Sequence, residues 1–280
     1  MKKTWRCGRF EFGFERPLLM GILNITPDSF SDGNQYLQTE TAIAHAKQLI
    51  ADGADILDIG AESTRPGAQP VALDEELRRL LPVIEALHEL NVPLSIDTFK
   101  PEVMQAVLAA GADMINDIAG FQNPASIAAV AASDCGLCVM HMQGEPRTMQ
   151  ANPHYSDVKI EVRDFLQHRV QALVQAGVQP ERIMLDPGLG FGKTAAHNYT
   201  LLRDLEQIQI DSYPWLIGLS RKSMIGHVVH KEPQQRVAGS IAGMLAAVAR
   251  GAAVVRVHDV AESADALKVW QAVEQGITNE

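Results

Sequence analysis

A (β/α)₈ barrel is the fold this chain predicts, from three observations. From Leu18 onward, short apolar runs fit for buried strands alternate eight times with helical patterns. The helix-to-strand junctions repeat one grammar: Asp52-Gly53-Ala54-Asp55, Ala110-Gly111-Ala112-Asp113, Ala176-Gly177-Val178 and Arg250-Gly251-Ala252-Ala253. Nearly every apolar run also ends in a polar cluster. An open doubly wound sheet is the alternative, because strand order is not written in a sequence. A length of 280 residues suits one such barrel as a single domain, residues 1–280.

Residues 4–16 alternate apolar and polar through Cys7, Phe10, Phe12 and Phe14, with Gly8 and Gly13. They predict an N-terminal β-hairpin, within residues 1–16, that plugs one end of the fold. The strands expected next are Leu18–Leu23, Ile56–Ile59, Pro93–Ile96, Met114–Asn116, Leu137–Met140, Ile183–Leu185, Trp215–Leu219 and Val254–Val257. Helical patterns fall at about 39–51, 73–90, 100–110, 124–133, 156–176, 197–209, 235–250 and 261–275. Each junction glycine stands where a helix C-terminus favours a left-handed residue. The first strand runs into Asn24-Ile-Thr-Pro-Asp-Ser-Phe-Ser-Asp-Gly33. Such a long polar loop is a functional feature when an aromatic, here Phe30, sits in its middle ready to close over a ligand.

Composition narrows the function. Hydrophobic residues make up 46% and charged residues 21%, as in ordinary globular proteins. A net charge of −10 argues against nucleic acid or an anionic membrane as a partner. Any anionic ligand must therefore be held by a local cluster of cations. The N-terminus carries no apolar signal core, and the apolar run Val237–Ala249 lies between Arg236 and Arg250, too short to span a bilayer. A cytoplasmic protein is expected. Cys135-Gly-Leu-Cys138 with His141 invites a metal or redox reading, but a closed zinc site needs four ligands and no second cysteine pair exists. Packing of small apolar thiols around a buried strand is the expectation for Cys135 and Cys138.

In this fold the chemistry gathers at the C-terminal ends of the strands. Reading those ends in order gives Asn24, Asp58 and Glu62, Asp97, Asn116, His141, Asp186, Ser220 to Lys222, and Arg256 with His258. Asp97, Asn116 and Asp186 suit a planar heterocycle with adjacent N–H donors, because a carboxylate accepts two parallel hydrogen bonds. Lys222, Arg256 and His258 follow the last two strands, where the fold frequently binds phosphate, and Arg65 adds a further cation. Asn24 offers an uncharged oxygen to a magnesium ion. Gly188-Leu-Gly-Phe-Gly-Lys193-Thr194 resembles a phosphate-binding P-loop but has three residues where that loop needs four, so backbone approach to a flat ligand is expected instead. Arg78-Arg79 reads as a solvated helix face, and His227 and His230 as a surface segment.

Taken together, Asn24-Ile-Thr-Pro-Asp-Ser-Phe-Ser-Asp-Gly33, Glu62-Ser-Thr-Arg-Pro-Gly67, Asp97-Thr98, Ile115-Asn-Asp117, Asp186-Pro-Gly-Leu-Gly-Phe-Gly192, Ser220-Arg-Lys222 and Arg256-Val-His258 resemble the bacterial dihydropteroate synthase family from about residue 17 to the end. The resemblance implies a TIM barrel of folate biosynthesis, a homodimer and sulfonamide target. It would condense 6-hydroxymethyl-7,8-dihydropterin diphosphate with 4-aminobenzoate. It further implies that Asp97, Asn116, Asp186 and Lys222 hold the pterin. Thr64, Arg65, Arg256 and His258 would bind diphosphate, and Asn24 would bind Mg²⁺. Phe30, Asp32, Pro66 and Ser220 would enclose 4-aminobenzoate, with Lys222, Arg65 and Asp186 as the catalytic set. Diphosphate would leave first, in an SN1-like step, with loops 24–36 and 61–70 excluding water. Asn34, Ala61 and Phe99 depart from the family's usual residues without removing an expected contact to substrate. A methyl-transfer pterin module has no use for a diphosphate clamp, and a silent paralogue would be expected to lose Phe30, Asp32, Thr64 and Arg65.

Overall fold

The expected strands close into a barrel. The computed structural model describes residues 4–25, 35–63 and 69–276, with backbone alone for 35–37. Strands β1 (Trp5–Cys7) and β2 (Phe10–Phe12) form the antiparallel hairpin. Strands β3 (Leu18–Asn24), β4 (Ile56–Gly60), β5 (Leu94–Asp97), β6 (Met114–Asp117), β7 (Gly136–Met140), β8 (Ile183–Asp186), β9 (Trp215–Ile217) and β10 (Ala252–Val257) are parallel, and β10 pairs with both β9 and β3. Closure removes the open-sheet alternative. Helices α1 (Gln35–Ala51), α2 (Leu73–Leu87), α3 (Pro101–Ala109), α4 (Pro124–Ala131), α5 (Val158–Gln175), α6 (Ala195–Arg203), α8 (Val237–Val248) and α9 (Val260–Gln275) alternate with the strands. An additional short helix, α7 (Ser223–Val229), precedes α8.

The junction glycines behave as expected, with φ of 106° at Gly53, 100° at Gly111, 93° at Gly177 and 89° at Gly251. Several boundaries differ from expectation for local reasons. The helix expected over 197–209 ends at Arg203, because Asp204 leaves helical geometry (φ −105°, ψ 26°) and a 3₁₀ turn follows at Leu205–Ile208. Its start moves to Ala195, where Thr194 and His197 form a reciprocal cap. Helix α5 starts at Val158, since Asp157 accepts from the amides of Lys159 and Ile160. The segment holding His227 and His230 is α7, closed by His230 in the left-handed region at φ 54°.

Two cores follow from the pleat. Leu23, Leu57, Ile59, Leu80 and Ile84 belong to the large core between sheet and helices. Inside the barrel, Leu18, Met20, Ile56, Met114, Cys138, Met184, Leu216 and Val254 pack with Trp5 and Cys7 of the hairpin. The hairpin therefore plugs the end where the strands begin. Trp5 is fully buried, donates from Nε1 to the carbonyl of Arg182 at 3.1 Å and stacks on Phe12. Arg9 grips Asp113 in a bidentate pair, at 2.8 Å and 2.9 Å. Side chains alternate along a strand. Two residues beyond the inner apolar layer, the same inward face therefore carries Asp58, Asn116, Asp186 and Arg256, and β5 brings Asp97 into line with Asn116.

Candidate active site

Arg256 lies across the mouth of the barrel. Its Nε donates to Asp58 Oδ2 at 2.6 Å and its Nη2 to Asp97 Oδ2 at 3.1 Å. Asp58 is fully buried and also accepts from Ser95 Oγ at 2.6 Å and Asn116 Nδ2 at 3.2 Å. It thereby orients both the guanidinium and the amide. Asp97 Oδ1 is buried without a hydrogen-bond partner. Such an orphan acceptor is costly unless a ligand satisfies it. Asp97 and Asp186 are not helix caps: the residues before α3 and α6 are Lys100 and Thr194.

The opposite wall comes from two loops. Gly188, Gly190 and Gly192 all have positive φ, and a Cβ on Gly188 would stand 1.8 Å from the carbonyl oxygen of His141. Only glycine fits there. Asp186 Oδ1 accepts from the Gly188 amide at 2.7 Å. Lys222 Nζ donates to the Leu189 carbonyl at 2.5 Å and lies 4.6 Å above the Phe191 ring. The loop carrying Lys222 is fixed by Arg221, left-handed at φ 59°, whose guanidinium pairs with Asp259 and whose amide donates to Ser240 Oγ at 2.9 Å. Ser220 Oγ accepts from the His258 amide at 3.2 Å and lies 3.0 Å from His258 Nδ1.

Burial dominates the electrostatics. It pushes Asp97 up to about 7, against the pull of Arg256 and with the push of Asp58. It raises Asp186 too, opposed chiefly by Lys222. Lys222 falls to about 8, from burial first and only partly offset by Asp186. The mouth thus holds carboxylates and a lysine whose charges are poised to be stabilised by a polar ligand.

The structure brings Asp97, Asn116, Asp186, Lys222 and Arg256 together as expected, with Ser220 and His258 joined beside them. Arg256, expected to bind diphosphate, is held here by Asp58 and Asp97. Asn24 ends β3, its Oδ1 3.8 Å from where a Gly60 Cβ would stand and beside Asp97. Phe30, Asp32, Asn34, Thr64, Arg65 and Pro66 lie outside the described residues. Asp58, a strand-end residue with no role assigned to it from the sequence, is the hub of this network; its place two residues beyond inward-facing Ile56 on β4 is the signal that could have found it. The expectation for Arg78-Arg79 needs correcting at Arg79, which donates to the Ala61 carbonyl at 3.0 Å and ties α2 to the base of the loop after β4. Cys7, Cys135 and Cys138 are buried free thiols, and burial raises all three. Among the described residues no three His, Cys, Asp or Glu side chains gather as a metal-binding group.

A closed parallel barrel with an acid–amide–lysine mouth and glycine-rich rim defines a ligand-binding enzyme of the α/β class. The model of the pterin binding enzyme family matches residues 20–258, and the chain belongs to that family. A dihydropteroate synthase of Neisseria meningitidis serogroup C is 50% identical over 277 residues, covering 97% of this chain and 98% of the relative. The crystal structure of Burkholderia cenocepacia dihydropteroate synthase complexed with 7,8-dihydropteroate superposes with a TM-score of 0.89 at 57% identity, covering 97% of this chain and 96% of that one. The Xanthomonas albilineans enzyme with 4-aminobenzoic acid gives a TM-score of 0.92 at 49% identity, covering 98% and 99%. Within the pterin-binding family, then, this chain is one of the dihydropteroate synthases. Among the described residues no helix is long and apolar enough to cross a membrane.

Proposed function

We propose that this mouth condenses 6-hydroxymethyl-7,8-dihydropterin diphosphate with 4-aminobenzoate, giving 7,8-dihydropteroate and diphosphate. The observation that carries the reading is the buried, unpartnered Asp97 Oδ1 in line with Asn116, at the strand ends that also carry buried Asp186 and, in the loop after β9, Lys222. Ring N–H and amino groups of a pterin are the donors such acceptors call for, and Asn116 and Lys222 supply donors to its ring nitrogen and carbonyl. Arg256 and His258 add positive and hydrogen-bonding character on the side where the diphosphate would lie, helped by Thr64 and Arg65. Phe30, Asp32, Pro66 and Ser220 enclose the 4-aminobenzoate.

In this mechanism the methylene C–O bond breaks with its electron pair leaving on the diphosphate oxygen. Lys222, Arg65 and Arg256 stabilise that growing negative charge, usually a large contribution to catalysis. Asp97 and Asp186 stabilise the positive charge shared between methylene and pterin ring. The neutral arylamine nitrogen then forms the C–N bond and gives up its proton to the departing diphosphate. Asn24 supplies one neutral oxygen, which suits a Mg²⁺ that keeps water and phosphate as its other ligands. When bound, that ion would lower the charge of the leaving group.

The same reading includes a homodimer. An apolar groove of about 350 Å³ between α6, α7 and α8 is lined by Tyr199, Leu202, Ile225, Val229, Gly243 and Ala246, and a second copy is the occupant that suits it. Buried free thiols accord with a reducing cytoplasm.

The test is diphosphate release from purified protein given the pterin diphosphate and Mg²⁺, with and without 4-aminobenzoate. Release that 4-aminobenzoate accelerates, with dihydropteroate formed only when both substrates are present and Lys222→Ala reduced by at least about a hundred-fold, is expected. Tight pterin binding without turnover would replace this reading with a silent binding protein.

A further inference from the structure

Lys193 is the least expected residue near the site. It is 2% exposed, in the interior, with no carboxylate within hydrogen-bond reach among its bonded partners. Its Nζ lies 2.8 Å from His141 Nδ1, 3.0 Å from the Gly188 carbonyl, 3.0 Å from the Phe191 carbonyl and 3.3 Å from the His141 carbonyl. Burial pushes the Lys193 amine well below the ordinary lysine range, opposed chiefly by Asp186, and the acceptors around Nζ can satisfy every N–H it carries. His141 serves as one of them in the tautomer protonated at Nε2: burial, then the neighbouring Lys193 charge, pushes the ring down to about 3, so it is neutral, and in that tautomer Nδ1 accepts across the 2.8 Å contact. Phe165 packs edge-on against that ring, at 4.9 Å between centroids, and fixes its orientation.

The two loop carbonyls that Lys193 holds bracket Leu189, whose own carbonyl takes the Lys222 ammonium. Phe191, whose carbonyl Lys193 also holds, presents its ring face to the same ammonium. The Gly188 amide, at the other end of the loop, hydrogen-bonds Asp186. Lys193 thus sits underneath the segment that places both Lys222 and Asp186.

The geometry points to Lys193, with His141 as its acceptor, as a positioning residue for the transferase reaction. It acts through the Gly188–Phe191 loop on Lys222, without touching substrate. This rests on the reading of the mouth as a pterin site. A residue that only stabilised the fold would weaken the protein without selectively disturbing the pterin contact of Lys222.

The test is a double-mutant cycle on binding of the pterin alcohol, the substrate without its diphosphate, measured by calorimetry on the full chain. Lys193→Met keeps the aliphatic stem and removes the donors. It is expected to weaken pterin binding about ten-fold or more, while Lys222→Ala and the double variant bind equally weakly, because both substitutions break one linkage. Losses that add, or wild-type-like affinity in Lys193→Met, overturn the proposal. If Lys193→Met does not fold, His141→Asn, which returns an acceptor near the Nδ1 position, is compared with His141→Leu. Affinity within about two-fold of wild type for Asn, and about ten-fold weaker for Leu, supports it. Equal affinities for the two overturn it. Failure of the wild-type protein to bind the pterin alcohol at all would instead overturn the functional reading.

Discussion

Asp58, Asp97 and Arg256 illustrate how a buried ion cluster becomes a binding device. One arginine faces two carboxylates, and the surplus acid is where burial prevails, raising Asp97 to about 7. The folded value lies above the ordinary 3.8, so ionised Asp97 costs the ligand-free fold stability. That cost is absent below the unfolded pKa and grows as pH rises through about 7. In the proposed reading a ligand donor at Oδ1 offsets it, and pterin binding would then be coupled to the ionisation of Asp97. Lys222 is depressed to about 8 and loses its proton above that pH. kcat/KM for the pterin diphosphate should therefore rise through about 7 as Asp97 ionises and fall above about 8 as Lys222 becomes neutral. In Lys222→Arg, which stays charged, the alkaline limb should vanish. A wild-type profile flat across that range would contradict these roles.

The N-terminal hairpin and the Gly188–Lys193 loop serve opposite ends of the barrel. The hairpin is held by burial: Trp5 and Cys7 complete the inner apolar layer, and Arg9 and Trp5 tie it to Asp113 and Arg182. The loop is held by hydrogen bonds that permit close backbone approach. Trp5→Ala leaves a cavity in a closed interior and should cost about 3–5 kcal/mol of unfolding free energy. KM for both substrates should stay within about two-fold, because the apolar layer separates the plug from the mouth. Denaturant unfolding and steady-state kinetics on the same preparation check both halves. A large change in KM with an unchanged midpoint would show that the plug acts on the site.

For the molecule as a whole, stability and chemistry are divided between the two ends of the strands, and the proposed dimer would use the helical exterior. Val228 is 58% exposed at the edge of the apolar groove between α6, α7 and α8. Covering such a surface with a second copy would bury it without touching the mouth. Val228→Glu should convert a dimer to a monomer in sedimentation, with the thermal midpoint lowered and the pterin affinity kept. A wild-type protein that sediments as a monomer would remove the dimer from the proposal.

The eight strands, most of the helices and the polar residues at the strand ends were legible in the sequence alone, since they depend on short-range physics, whereas α7 and the end of α6 were not. Alternation along a strand sends Met184 and Asp186 to one face, and a left-handed glycine closes each of four helices before its strand. Polar residues at successive strand ends could be collected without knowing which strands touch. Partnership within that collection needed the closed barrel. Arg256 and Asp58 are 198 residues apart, and Lys193 and His141 are 52 apart; closing β10 on β3 and pairing β7 with β8 make them neighbours. Neither periodicity nor turn chemistry encodes such distances. The choice of partner is made by the strand order and register, and with it the charge balance on which the site works.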